Sequence, residues 1–293
     1  MELILTNKDG QELDLLNNDQ HFTLTSCESL HGIETDIATA EAPYIDGVII
    51  ENVKALPRGI ILTFAVKPDI ATNIDFFTSI VKSKQYVTLT QRENGKEIKI
   101  KGVATIPPYT RMLALCKIQL SIYCGQPYWE DLNETTQTIS VYLSLLNFPI
   151  EKGQYFTRVD GLFGGRPISS FNLDKQKTFI NNGDVEVGIN IKIVAISSVT
   201  NPRISCSTGN QNGWYMQLNL TLNANDIVEI NTVKGQKYIT INGSEEYNGQ
   251  PTISYLTFRG NDWLQLETGA NVFEVSPFSS NAYFNISYKQ KWE

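Results

Sequence analysis

The chain has 293 residues, 41% hydrophobic and 19% charged, which excludes a disordered polar chain and leaves room for two buried cores. Its formal net charge is −7, and no run of Lys or Arg exists to track phosphates or coat a membrane, so neither half reads as a nucleic-acid binder. No stretch approaches the ~18 apolar residues of a membrane span, and Met1-Glu2-Leu3-Ile4-Leu5 lacks the basic start of a signal peptide.

The first element the pattern predicts is a helix. After Pro68-Asp69, the apolar residues Ile70, Ile74, Phe77 and Val81 fall at i, i+4, i+7 and i+11, one stripe of an amphipathic helix. Asp69 is placed to cap it, and Lys82–Lys84 to end it against the negative pole of the dipole. Period two follows. Val87, Leu89 and Gln91 share one face, Thr88, Thr90 and Arg92 the other, and Ile98 and Ile100 alternate with Lys99 and Lys101. Between them stands Asn94-Gly95, a pair that tolerates the positive φ of a tight hairpin turn. Further Asn-Gly pairs lie at 182–183, 212–213, 242–243 and 248–249.

An apolar stretch, Leu113 to Tyr123, leads to Trp129-Glu130-Asp131 and then to a polar segment from Asn133 to Thr138. A domain boundary is expected there: residues 1–132 as a first domain, 133–175 as connecting structure, and 176–293 as a second domain. The first 132 residues carry 12 basic and 17 acidic residues, net −5; the rest carry 12 and 14, net −2. The clearest strand expected is Asp184 to Val194, where Val185, Val187, Ile189, Ile191 and Ile193 line one face. Shorter strands are expected at Ile227–Ile230, Tyr238–Ile241, Trp263–Leu266, Asn271–Val275 and Tyr283–Tyr288. Their spacing suits a sandwich or jelly roll. The fold class is therefore mainly β: an N-terminal β-sandwich or split-barrel domain with one helix, then a C-terminal β-sandwich.

Catalytic and metal chemistry find little support. Cys27, Cys116, Cys124 and Cys206 form no Cys-x-x-Cys pair. Cys116 and Cys124 share one predicted strand, about 26 Å apart at ~3.3 Å per residue. Four free thiols in a reducing compartment are expected, and the Asn-x-Ser/Thr triplets at Asn133 and Asn219 read as chance. His21 and His31 have no second ligand at metal spacing. Gly161, Gly164 and Gly165 precede Arg166-Pro167 where a phosphate loop needs Lys-Ser/Thr. Glu130-Asp131 and Glu245-Glu246 are neighbours, and neighbours on a strand point to opposite faces, the wrong geometry for a carboxylate pair. No catalytic, cofactor or metal residue is assigned. Asn201-Pro202-Arg203 with Trp214 is the one candidate sugar contact, through Arg203 and Trp214, against the plainer reading of a turn and a core Trp.

Three places carry a family resemblance. Tyr44-Ile45-Asp46-Gly47-Val48, followed by Arg58-Gly59-Ile60-Ile61-Leu62, resembles a strand-turn and an Arg-containing strand of the distal tail proteins of long-tailed bacteriophages. Leu120-Ser121-Ile122-Tyr123-Cys124-Gly125-Gln126-Pro127-Tyr128-Trp129 resembles the end of that family's first domain, although many members carry Asp where Gln126 stands. Asn182-Gly183, Asp226–Asn231, Tyr238–Asn242 and Leu266-Glu267-Thr268-Gly269-Ala270-Asn271 resemble its second domain. The resemblance implies a structural virion protein and no enzyme. It implies a first domain that forms a homo-hexameric ring through which DNA passes without being held, and a galectin-like second domain. It implies the tail tube protein, a tail-tip hub or lysin protein and a receptor-binding or side-fibre protein as partners, on a virion tail assembled in the bacterial cytoplasm. The hairpin Tyr86–Ala104 is expected to take part in the ring by offering edge strands. Two other readings stand beside this one: a carbohydrate-binding module, and a hydrolase with dispersed catalytic residues.

Overall fold

Alternating apolar residues build nearly every element of the computed structural model. It describes residues 1–18, 20–44, 46–107, 116–139, 142–144, 169–171, 175–277 and 282–293, with 142–144 and 169–171 by backbone alone. The chain divides into two compact units, Met1–Asn133 with Lys291–Glu293, and Glu134–Gln290.

The first unit runs β1 (Glu2–Thr6), β2 (Glu12–Asp14), β3 (Phe22–Glu28), β4 (Thr35–Ala40), β5 (Ile49–Ala55), β6 (Arg58–Val66), α1 (Ile70–Ile80), β7 (Tyr86–Glu93), β8 (Lys96–Thr105), β9 (Cys116–Cys124) and β10 (Trp129–Asp131). Its main sheet has the order β2-β1-β7-β8-β9-β6-β3, with β10 branching from β8 and the terminal strand Lys291–Trp292 paired to β10. The branch arises because β8 gives Val103–Thr105 to β9 and Ile98–Lys99 to β10 along the same edge. The forked sheet with one helix fits the mainly β first domain expected. Leu3, Leu5, Leu62, Phe64, Leu89, Leu120 and Trp129 are fully buried on the inner face. Each such side chain contributes about 1.5–3 kcal/mol.

Helix α1 closes that core with Ile74, Phe77 and Ile80, and Phe77 meets Phe22 edge-on with ring centroids 5.6 Å apart. Its ends differ from expectation. Asp69 stands at φ 64 and makes no side-chain cap, because capping needs an extended residue there. The side-chain amide of Asn73 donates to the Lys67 and Pro68 carbonyls, and its backbone N–H to the Asp69 carbonyl. At the other end Val81 is extended and fully buried, so the helix stops before Lys82 and no base lies in its last turn. The β7–β8 hairpin forms as expected, with Asn94 at φ 52 and Gly95 at φ 77 in its turn.

The second unit packs two five-stranded antiparallel sheets on one core. Its main strands are β11 (Thr135–Ile139), β12 (Gln176–Asn181), β13 (Asn190–Ala195), β14 (Arg203–Cys206), β15 (Tyr215–Leu218), β16 (Ile227–Asn231), β17 (Tyr238–Ile241), β18 (Leu256–Arg259), β19 (Gly269–Ser276) and β20 (Ala282–Tyr288). One sheet has the order β11-β20-β13-β16-β17 and the other β12-β19-β14-β15-β18. Ile191, Val228 and Phe284 from the first meet Phe179, Ile204 and Phe273 from the second in a single buried cluster, which makes the unit a β-sandwich. The long strand expected over Asp184–Val194 is broken. Val187–Gly188 pairs with Gln265–Leu266, whereas Asn190–Ala195 joins the first sheet. The switch falls at Ile189, whose N–H donates to Thr232 Oγ1 at 2.8 Å while its carbonyl accepts from the Thr232 N–H at 2.9 Å. The apolar face survives the break, since Val187, Ile189, Ile191 and Ile193 are all buried. Of Trp263–Leu266, only Gln265–Leu266 pairs as strand.

Candidate functional site

Among the described residues, strands β4 and β5 pair only with each other. The register sets Ile37 opposite Val53 and Asp36 opposite Lys54, and a bulge between Ala38 and Thr39 then sets Thr39 opposite Ile50. Cross-strand partners share a face, so the extra residue, Glu51, keeps Ile50 beside Val53 and Ile37. The result is a ribbon with bare aliphatic residues, Ile37 51% exposed, Ile50 62% and Val53 56% on one face and Ile49 48% on the other. Tyr44 and Val48 at its tip are exposed as well. A lone two-stranded ribbon is marginal in water, and three large aliphatic side chains held on one open face mark a contact surface.

The root of this arm is firmly tied. Arg58 Nη1 and Trp129 Nε1 both donate to the Leu30 carbonyl, at 2.7 and 3.0 Å. Arg58 is only 4% exposed, and its Nε and Nη2 are buried without an acceptor. Burial pulls the guanidinium pKa down, against the opposing influence of Cys124 and Glu293. Burial also pushes the Cys124 thiol up to about 11. A groove of about 240 Å³ lies here, lined by Ser29, His31, Gly32, Ile33, Glu34, Pro57, Arg58 and Gly59. Two of the sequence motifs, the Arg58 strand and the segment ending in Trp129, therefore converge on one carbonyl.

Other singled-out residues resolve differently. Arg203 lies over the Tyr215 ring at 3.9 Å, on the half-buried face of its strand, while Trp214 packs against the core beside Gly260. His21 Nδ1 lies 2.8 Å from Asn73 Oδ1 and its ring stacks on Phe76. Glu130 pairs with Lys291 at 3.5 Å, and Asp131 accepts from Trp292 Nε1 at 2.7 Å. All four cysteines are free. Among the described residues, no three His, Cys, Asp or Glu side chains cluster as a metal site. Gly161, Gly164 and Gly165 lie outside the described residues. The hairpin Tyr86–Ala104 offers no edge: β7 is held by β1 and β8, and β8 by β7, β9 and β10. Of the arm, sequence reasoning caught only the tip, in the strand-turn resemblance at Tyr44–Val48, and missed the strands Thr35–Ala40 and Ile49–Ala55 on either side.

Residues 182–292 match the model of the siphovirus-type tail component, C-terminal domain. The second unit is similar to the C-terminal domain of that family. The resemblance drawn from the C-terminal motifs is thereby borne out. A likeness of fold extends over both units. The crystal structure of the Dit protein of phage SPP1, described as a paradigm of the hub adsorption apparatus in phages infecting Gram-positive hosts, is similar over 98% of each chain, with 14% identity and a TM-score of 0.61. Two structures of the phage P2 baseplate in its activated conformation, with Ca and with Sr, align at 12% and 11% identity with a TM-score of 0.44 each, over 98% of this chain and 97% of theirs. No curated protein matches the chain.

Proposed function

We propose that this protein is a structural hub of the phage baseplate, joining the tail tube to the tail-tip and host-recognition proteins. Copies close into a ring, six by the family resemblance, through which DNA passes. The observation that carries this reading is the arm: β4–β5 holds Ile37, Ile50 and Val53 exposed. A ring of identical copies needs a contact between two different patches, repeated until it closes. A projecting arm supplies one such patch. The first unit's net charge of −5 over residues 1–132 suits a lumen that passes DNA, since a basic lining would hold phosphates through counterion release. The second unit, read as a galectin-like sandwich, then serves as the docking arm for receptor-binding or side-fibre proteins.

Mass measurement of the purified chain, with low-resolution imaging, tests the reading. A six-fold ring with a central pore supports it. The paired substitution Ile37→Ser and Ile50→Ser is expected to shift the mass to single copies. An unchanged assembly mass would remove the arm from the ring contact.

A carbohydrate reading keeps one supporting observation, the Arg203–Tyr215 stack on a half-buried sheet face. Binding to a glycan array by residues 134–290, abolished by Tyr215→Ala, would favour it.

A further inference from the structure

Arg58 is a buried charge whose hydrogen bonding is incomplete. Its Nη1 donates to the Leu30 carbonyl at 2.7 Å, but among the described residues its Nε and Nη2 find no acceptor, although the residue is only 4% exposed. Nε and Nη2 share one edge of the planar guanidinium. That edge holds two N–H bonds side by side, the fork that grips both oxygens of a single carboxylate. A buried charged donor left unmet is costly. Cys124 and Glu293 lie close enough to favour the charged guanidinium, yet neither meets the fork. The groove of about 240 Å³ opens onto this residue. One wall, from Ser29 to Glu34, leads into β4; the other, Pro57 to Gly59, follows β5.

We propose that this groove is a binding site for one carboxylate group, seated on the Nε–Nη2 fork of Arg58. Both nitrogens are buried as the groove stands, so entry requires the Ser29–Glu34 wall to part from Arg58. Ser29, His31, Gly32 and Glu34 in that wall are all exposed. The Ser29 hydroxyl and the His31 ring add further donors, and a carboxylate held by Arg58 and by either of them joins the two roots of the arm. Size and charge both select a short acid. The volume falls below that of a site for a drug-sized molecule. Glu34 stands in the same wall, and its charge opposes a doubly charged phosphate more than a singly charged carboxylate. Every residue named belongs to the first unit, and the inference stands apart from the ring reading.

A free acid and an acidic side chain of a docked protein share this chemistry. The rival occupant is Glu34 itself, turned inward. Thermal unfolding of the full-length protein separates these cases, with sodium chloride of equal ionic strength as the reference. Acetate is expected to raise the midpoint saturably, as any ligand of the folded state does. Arg58→Lys, which keeps the charge and loses the fork, should abolish the rise. Glu34→Gln alters an exposed side chain and should tighten acetate about threefold or more; that variant carries the test if Arg58→Lys does not fold. The blocked peptide acetyl-Gly-Asp-Gly-amide identifies the source. Binding about tenfold tighter than acetate, absent from the Asn counterpart, assigns the site to a docked protein, and equal affinity assigns it to a free acid. No saturable rise in wild type or in Glu34→Gln overturns the site, as does a rise that persists in folded Arg58→Lys. A rise seen in Glu34→Gln alone overturns it in favour of Glu34 as the resident partner. Inorganic phosphate binding as tightly as acetate overturns the assignment to carboxylate.

Discussion

Asp226 shows how much one side chain organises. Its Oδ1 accepts from Asn242 Nδ2 at 2.8 Å, and its Oδ2 from the Asn223 N–H at 2.8 Å and the Tyr247 hydroxyl at 2.9 Å. Burial alone would raise its pKa, but these hydrogen bonds outweigh burial and hold the carboxyl below its ordinary value. Burial, followed by the bond to Asp226, raises the Tyr247 phenol in turn. A carboxylate depressed in the folded state contributes stability above its unfolded pKa, near 3.8, and loses it as pH falls through the folded value. Asp226→Asn should cost about 1–3 kcal/mol near neutral pH, and less in acid. Urea unfolding at neutral pH and again below pH ~3 checks both parts. Legibility at this scale follows locality. Asn94-Gly95 declared its turn because the chemistry sits in two adjacent residues. Asp69 misled because its backbone turned left-handed, which composition does not reveal. Arg58 and Trp129 were visible as motif residues, but their meeting at Leu30 spans 99 residues between Leu30 and Trp129 and is a product of the fold.

Elements were readable where a face is buried within the chain. β16, β17 and β20 stand within a residue or two of expectation, because each alternates against a core. The strand around Ile189 kept its buried face but changed partners, since period two encodes the face and says nothing of which neighbour supplies the ladder. The fork in β8 has a similar hidden cause. At Gly102 a Cβ would come within 2.6 Å of an Ile122 methyl, 2.7 Å of the Tyr123 carbonyl oxygen and 2.8 Å of Cys124 Sγ. The carbonyl belongs to β9 and cannot step aside, so Gly102→Ala should destabilise by about 1–3 kcal/mol or more. Gly125→Ala, with open space and an ordinary φ, should change little. Thermal unfolding of the two variants decides; equal melting temperatures would mean the fork is not close-packed. The arm lies at the other extreme. Among the described residues its strands pair only with each other, so their amides should exchange with solvent rapidly in the single copy and slow markedly on assembly. Hydrogen exchange followed by mass spectrometry reads this peptide by peptide, and equal rates before and after assembly would place the contact elsewhere.

At the scale of the whole molecule, chain order and unit order differ. The chain leaves the first unit after β10 and contributes Lys291–Glu293 back to it only at the end. Those last residues are not ornamental. Trp292 sits opposite Trp129 in the ladder, donates to Asp131 and lies beneath the Lys96 ammonium, and Lys291 pairs with Glu130. The second unit, by contrast, holds all of its core within Glu134–Gln290, including β11, an edge strand inside the stretch read from sequence as a connector. The two units should therefore respond differently to dissection. A 134–290 fragment should unfold cooperatively on its own. A 1–133 fragment lacks the strand that covers Trp129 and should lose about 1–3 kcal/mol relative to the same unit in the full chain, the sum of a hydrogen bond, a cation–π contact and a short ladder. Supplying Lys291–Glu293 through a short linker after Asn133 should recover most of that loss. Denaturant midpoints for the three fragments measure it. If the linker makes no difference, the terminal strand is a passenger, and Trp129 is held by its own unit without help from the end of the chain.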